Sequence, residues 1–234
     1  MARLCTDWGQ ASWQLHCLQT SSPDGMVSNM TTTPIAIAVL GSGRGTNFQA
    51  LAEAISTGRL DARIVCVLSN VKDAFILERA RQLHIPAEYI DPAPFRTKLE
   101  GPAEQQTINR LRHYGAELIA LAGFMLIIKP RLLKEFTGRI VNIHPSLLPA
   151  FPGLEAWKQA LTYGVKVTGC TVHYVDEGTD TGPIILQQPV PVLEGDTAES
   201  LHARIQEHEH LAYPAAIRQA IATIRGRDSS LRSE

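Results

Sequence analysis

Ile35-Ala36-Ile37-Ala38-Val39-Leu40 runs directly into Gly41-Ser42-Gly43-Arg44-Gly45-Thr46-Asn47, and then into Phe48-Gln49-Ala50-Leu51-Ala52-Glu53-Ala54-Ile55. The first six residues are small or β-branched and apolar without a break, the pattern of a strand covered on both faces. The glycines allow a tight turn and let backbone amides approach an anion. The third stretch places Phe48, Leu51, Ala52 and Ile55 on one face of a helix, expected over residues 46–57, with Thr46 as its cap and Gly58 after its end. Strand, glycine turn and helix in this order open a parallel α/β sheet, with a candidate anion cradle at its carboxyl edge.

The alternation continues outward from this point. Further strands are expected at residues 64–68, 87–90, 117–121 and 139–143. Between them fall helices at 73–83, capped by Asp73, near 103–114, and at 130–136, opened by Pro130. Beyond residue 150 the character changes. A helix is expected at 154–163, and residues 168–175 and 184–192 alternate as an antiparallel hairpin, with Gly178 and Gly182 between them. A long helix at 197–224, capped by Asp196, completes the pattern. Repeated strand-helix-strand units imply a mostly parallel twisted sheet with helices on both faces, and the hairpin adds antiparallel strands in the C-terminal part. Ligands of such sheets bind beyond the carboxyl ends of the strands, where strand order reverses. The residues to inspect are therefore those just after Leu40, Leu121 and Ile143.

The chain has 234 residues, enough for one sizeable domain, expected over 34–226, with a flexible tail at 227–234. Residues 1–33 are rich in Ser, Thr and Gln and carry one basic residue, Arg3, and no apolar run of signal-peptide length. They read as a disordered extension, with Met26 and Met30 as alternative starts. A net charge of −1 supplies no global field toward nucleic acid or anionic lipid, and no apolar run approaches the ~18 residues of a membrane span. Cys5, Cys17, Cys66 and Cys170 have neither zinc-site nor disulfide-framework spacing, which points to inert thiols in a reducing cytoplasm.

Three constellations carry chemistry. The loop Gly41–Asn47 suits a phosphate, with Gly43, Arg44, Gly45, Thr46 and Asn47 around the anion. It lacks the Gly-Lys-Ser/Thr of a Walker loop, has Gly-x-Gly-x-Gly where a dinucleotide fingerprint needs Gly-x-Gly-x-x-Gly, and is followed by Ser69-Asn70 where that fingerprint needs an acid. A dinucleotide turn and a merely structural turn remain its rivals. In Val141-Asn142-Ile143-His144-Pro145-Ser146, Asn142 and His144 are two apart on a strand end and share a face, while Ile143 turns into the core. An amide beside an imidazole suits an oxyanion site. In Asp176-Glu177-Gly178-Thr179-Asp180-Thr181-Gly182-Pro183, Asp180 caps a turn or orients an imidazole; the residues alone leave both open.

Together these residues resemble the folate-dependent formyltransferase family over about residues 34–224. The most specific stretch is Asn142-Ile143-His144-Pro145-Ser146-Leu147-Leu148-Pro149 with Phe151-Pro152-Gly153. It is flanked by Leu121-Ala122-Gly123-Phe124-Met125, Asp180-Thr181-Gly182-Pro183-Ile184-Ile185, and Glu209-His210 with Tyr213-Pro214. The resemblance implies a Rossmann-like formyltransferase fold. It implies Asn142, His144 and Asp180 as the catalytic group, 10-formyltetrahydrofolate as formyl donor, no metal, and the amine of glycinamide ribonucleotide as acceptor. It further implies substrate contacts from Glu209, His173 and Ser146 and from the glycine loop. A folate pocket would be built on Met125, Leu126, Ile127 and Ile128, with Lys98 (or Arg96) and Val175, and with Leu121 and Phe124 as apolar walls. Many relatives carry a basic residue where Leu126 stands. The expected partners are small molecules, without nucleic acid or membrane, in a cytoplasmic monomer or homodimer.

Within the family, a hydrolase acting on the same folate is expected to carry an extra N-terminal domain that 33 polar residues cannot build. A relative acting on charged tRNA is expected to have a basic C-terminal domain. A non-catalytic nucleotide-binding module would need the glycine loop but not Asn142, His144 and Asp180 together. His208 and His210, two apart on a helix, diverge and cannot chelate one ion.

Overall fold

The structure is a computed structural model that describes residues 33–231, with side chains through residue 227. The expectations for residues 1–32 and 232–234 lie outside the described residues. The strands are β1 (Ile35–Leu40), β2 (Ala62–Ser69), β3 (Ala87–Tyr89), β4 (Lys98–Leu99), β5 (Leu118–Leu121), β6 (Ile127–Ile128), β7 (Ile140–His144), β8 (Val167–Tyr174) and β9 (Ile184–Pro191). The helices are α1 (Thr46–Ser56), α2 (Phe75–Gln82), α3 (Pro102–His113), α4 (Pro130–Glu135), α5 (Ala156–Tyr163) and α6 (Ala198–Leu231). No helix among the described residues is long and apolar enough to cross a membrane.

Seven strands form one sheet in the order β3-β2-β1-β5-β7-β8-β9. The pairs from β3 to β7 are parallel, and β8 and β9 join antiparallel. The chain builds outward from β1 through β2 to β3, then crosses to β5 and β7 on the other side. The strand order thus reverses at β1 and β5.

Alternate residues of the strands feed two cores. Ile35, Ile37, Val39, Leu118, Ala120, Val141, Ile143, Cys170 and Val172 pack with the apolar sides of α1, α2 and α6. Ala36, Ala38, Leu40, Ile119, Leu121 and Ile140 pack with α3 and α4. The period of two along each strand therefore sends Asn142 and His144 to the α3/α4 side and leaves Ile143 in the α6-side core.

Several helix starts differ from the sequence expectation. Thr46 is the first residue of α1 and does not cap it. The N-cap is Gly45, with φ 74°, and it makes no side-chain cap. A β-carbon at Gly45 would meet Ile76 at 2.7–3.0 Å, so both its conformation and its packing require glycine. Asp73 does not cap α2, which begins at Phe75 after Ala74; the Ile76 N–H donates to the Gly43 carbonyl at 3.1 Å instead. At α6 the cap is Thr197, whose hydroxyl accepts from Ser200 N at 3.2 Å while Thr197 N donates to Ser200 Oγ at 3.0 Å. Asp196 is held instead by Arg204 and by the Leu193 N–H. The helix expected to end at residue 224 runs on to Leu231, because Gly226 is not in the left-handed conformation that would stop it. The two-residue strands β4 and β6 pair in a small parallel sheet that no periodicity announced.

Candidate active site

The glycine loop leaves β1 at the reversal point. Gly41 N donates to Leu68 O at 3.1 Å, and a β-carbon at Gly41 would lie 2.9 Å from Ala122 O, so this close approach excludes larger residues. Gly43 and Arg44 are exposed at the tip. Asn47, in the first turn of α1, donates through Nδ2 to Glu209 Oε2 at 2.8 Å. Glu209 is buried on α6, and burial pushes its carboxyl up to about 7 against the opposing pull of the Asn47 bond. A carboxyl so placed exchanges its proton near neutrality, beside the glycine loop.

A second group forms at the ends of β7 and β8, where Asn142 stands opposite His173 and His144 opposite Thr171. His173 Nδ1 lies 2.8 Å from Tyr174 O and so acts as a donor there. Its Nε2 lies 3.2 Å from Asn142 Nδ2, with donor and acceptor set by the tautomer of the ring. That contact orients Asn142 and leaves its second N–H for another acceptor. His144 Nε2 faces Phe151 O at 2.9 Å, and Nδ1 faces Asp180 Oδ2 at 3.3 Å. Phe151 itself takes a left-handed φ of 55°.

The second oxygen of Asp180 is 3.7 Å from His173 Nε2, and Gly153 N donates to its first at 2.8 Å. The hairpin tip thus brings Asp180 between two imidazoles. Burial works to raise its carboxyl, but His173, the Gly153 N–H and the charge of His144 outweigh it and hold Asp180 below the ordinary range. Asp180 has φ 56°, a backbone state that Asp tolerates better than most residues.

Ser146 departs from the expected substrate contact. It is fully buried, and its hydroxyl donates to Ala150 O at 2.5 Å, so it braces the loop that carries Phe151. Thr171 holds the same loop by donating to Ser146 O at 2.7 Å and accepting from Leu148 N at 3.0 Å.

On the α3/α4 side, Met125 and Ile127 are exposed, while Leu126 and Ile128 are buried. The pairing of β4 with β6 sets Lys98 beside Ile127, with its ammonium 4.5 Å above the Phe95 ring and paired to Glu100. Arg96 is exposed. Val175 packs at the margin of the α3/α4-side core and donates its N–H to Ile140 O at 2.9 Å. A small pocket lies next to this segment, lined by Leu40, Leu68, Ile90, Leu99 and Phe124 with Ser69, Asn70 and Thr107.

The structure therefore gathers Asn142, His144, His173 and Asp180 into one cluster, and Asn47 with Glu209 into another. The sequence reading missed Phe151 O and Gly153 N, which are backbone atoms without a side-chain signature. It also missed Ser42 and Tyr213 as site supports. Tyr213 donates its hydroxyl to Leu121 O at 2.8 Å and Val141 O at 3.2 Å, bridging β5 and β7 just before Ala122 and Asn142.

Residues 35–217 match the family described as Formyl transferase. Phosphoribosylglycinamide formyltransferase of Bacillus subtilis is 46% identical over 184 residues, spanning 79% of this chain and 93% of that protein. The protein of the same name from Escherichia coli is 41% identical over 181 residues, spanning 77% of this chain and 84% of its own length. Among solved structures, glycinamide ribonucleotide transformylase 1 from Symbiobacterium toebii superposes with a TM-score of 0.78 at 48% identity, covering 86% of this chain and 94% of that one.

Proposed function

The chain belongs to the formyl transferase family, and we infer from this premise that it transfers a formyl group to the amine of glycinamide ribonucleotide, a step of purine biosynthesis, with 10-formyltetrahydrofolate as donor. The observation that carries the reading is the Asp180 carboxylate set between His144 and His173, with Asn142 on the same strand face. An oxyanion site flanked by a proton acceptor is what acyl transfer to an amine requires.

The amine nitrogen attacks the formyl carbon, and the carbonyl electron pair moves onto oxygen. The free N–H of Asn142 donates to that oxyanion, and His144 donates to it through Nε2, released from Phe151 O as substrate enters, while Asp180 orients the imidazole through Nδ1. When the oxyanion collapses, the bond from carbon to the folate nitrogen breaks. The proton lost by the attacking amine passes by way of Asp180 and His144 to the leaving nitrogen, so that charge balances. The loop Gly43–Asn47 holds the ribonucleotide phosphate at the N-terminus of α1, and Glu209 meets the same substrate. The folate lies along Met125–Ile128, with backbone groups as hydrogen-bond partners, Lys98 at the edge and Val175 as wall. The exposed Met125 and Ile127 side chains support this fit, and the buried Leu126 suits a contact made through the backbone.

The test mixes purified protein with 10-formyltetrahydrofolate and glycinamide ribonucleotide and follows deformylated folate by absorbance. Turnover that requires the ribonucleotide is expected. Turnover without it would mean hydrolysis, and no turnover from folded protein would overturn the reading.

A further inference from the structure

Three loops leave the carboxyl ends of adjacent strands at the reversal point: one from β1 after Leu40, one from β2 after Ser69 and one from β5 after Leu121. A single hydroxyl joins all three. Ser42 Oγ accepts from the Met125 N–H at 2.8 Å and donates to Asn70 Oδ1 at 2.6 Å. The Ser42 N–H donates to Gly123 O at 3.0 Å, and Ala122 N donates to Leu40 O at 2.8 Å. The glycine loop and the 122–125 segment are therefore bonded to each other directly. The one proton of the Ser42 hydroxyl is committed to Asn70, so Ser42 acts through its neighbours and does not itself offer a donor to a ligand.

We propose that Ser42 is a positioning residue that couples the two substrate subsites. The proposal rests on the reading of residues 43–47 as the phosphate subsite and of 125–128 as the folate subsite. Ser42 immediately precedes the exposed Gly43-Arg44 tip, and Met125 is the first residue of the other segment. A phosphate that orders Gly43–Asn47 fixes Ser42, and Ser42 fixes the Met125 amide. The folate then meets a segment already ordered, and the ordering cost is met once for both ligands. Linkage makes the effect reciprocal: each ligand tightens the other by the same factor. Alanine at 42 would keep the backbone bond to Gly123 but lose both side-chain bonds. Threonine would keep the hydroxyl.

Tetrahydrofolate carries no formyl group, so its binding can be measured without turnover. Titration calorimetry would give its dissociation constant with and without saturating glycinamide ribonucleotide, and then the reverse experiment. In the unmodified protein the ribonucleotide should tighten tetrahydrofolate about five-fold, near the lower end of ordinary coupling. In Ser42→Ala the factor should fall close to one, and in Ser42→Thr it should be retained. Should Ser42→Ala fail to fold, Asn70→Ala unfastens the same hydroxyl from β2 and should reduce the factor. An unmodified protein without coupling, or a variant lacking the tie that keeps the full factor, would overturn the proposal. Turnover by the unmodified protein is measured separately: if it occurs while coupling is unchanged by the substitutions, the role of Ser42 fails and the functional reading stands.

Discussion

Asp180 and Glu209 both bring a carboxylate to the carboxyl edge of the sheet, but their surroundings differ in kind. Asp180 sits on a hairpin tip between His144 and His173 and accepts a backbone N–H from Gly153. Glu209 sits on α6 beneath the glycine loop, with the Asn47 amide as its hydrogen-bond partner. Burial opposes charge at both positions. At Asp180 the cationic and N–H partners prevail and the carboxyl is lowered; at Glu209 one neutral amide does not suffice and the carboxyl rises to about 7. Two acids of almost the same intrinsic strength are thereby separated, so that one is ionised at rest and the other exchanges its proton near neutrality. The charged one suits the holding of a cationic imidazole, and the other suits contact with a polar ligand.

If this division is correct, Asp180→Asn should be the more damaging change for turnover. Loss of a positioned proton-transfer group typically lowers kcat by about two to four orders of magnitude. His144→Ala and Asn142→Ala, each removing one proposed oxyanion donor, should cost about two to three orders. Steady-state assays of the folded variants check both expectations. Less than a ten-fold loss in Asp180→Asn would erase the distinction between the two carboxylates.

Glu209 should reveal itself in stability as a function of pH. Its folded value lies above its unfolded one, so the folded state holds the proton more tightly. The associated stability is fully present below pH 4.5 and is lost as pH rises through about 7. Asp180 has the opposite sign: its contribution is present above the unfolded value of 3.8 and is lost as pH falls through its lowered folded value. Glu209→Gln cannot ionise and keeps an acceptor for Asn47. It should match the unmodified protein near pH 4 and exceed it at pH 8 by about 3 kcal/mol, read from urea unfolding. A gain of the same size at both pH values would show that ionisation of Glu209 is not the cause.

The same contrast explains what could be read from the sequence. The positions of the main strands were marked by apolar runs, and the glycine loop is seven consecutive residues, Gly41–Asn47, so both were legible. Asn142 and His144 were legible because a two-residue spacing on one strand fixes their common face. Glu209 became a site residue only by resemblance, since its partner Asn47 lies 162 positions away and no local pattern links them. Asp180 was ambiguous because a turn-capping Asp and an imidazole-holding Asp look alike until the hairpin is folded against β7. The caps assigned to Thr46, Asp73 and Asp196 failed because Gly45 precedes α1 without a side-chain cap, the Gly43 carbonyl takes the Ile76 N–H of α2, and Thr197 caps α6 while Arg204 holds Asp196. Phe151 contributes through its carbonyl, and any residue has one.

The smallest expected effect tests whether the two carboxylate regions are energetically separate. Tyr213 lies about one turn beyond Glu209 on α6, is fully buried, and has its hydroxyl raised by burial first and by the Glu209 charge second. Tyr213→Phe removes the bridge to Leu121 O and Val141 O and should lower unfolding stability by about 1 kcal/mol. Combined with Glu209→Gln at pH 8, the two changes should depart from additivity by more than about 0.5 kcal/mol if the Glu209 charge acts on the dipole of the neutral Tyr213 hydroxyl. Combined with Asp180→Asn, which shares no hydrogen-bond partner with Tyr213, the changes should add. Additivity in both pairs would mean that the Glu209 charge does not reach Tyr213. Coupling in both would mean that β7, which carries Val141 next to Asn142, transmits strain between the two regions, so that the division of labour drawn from their surroundings would not be a division in energy.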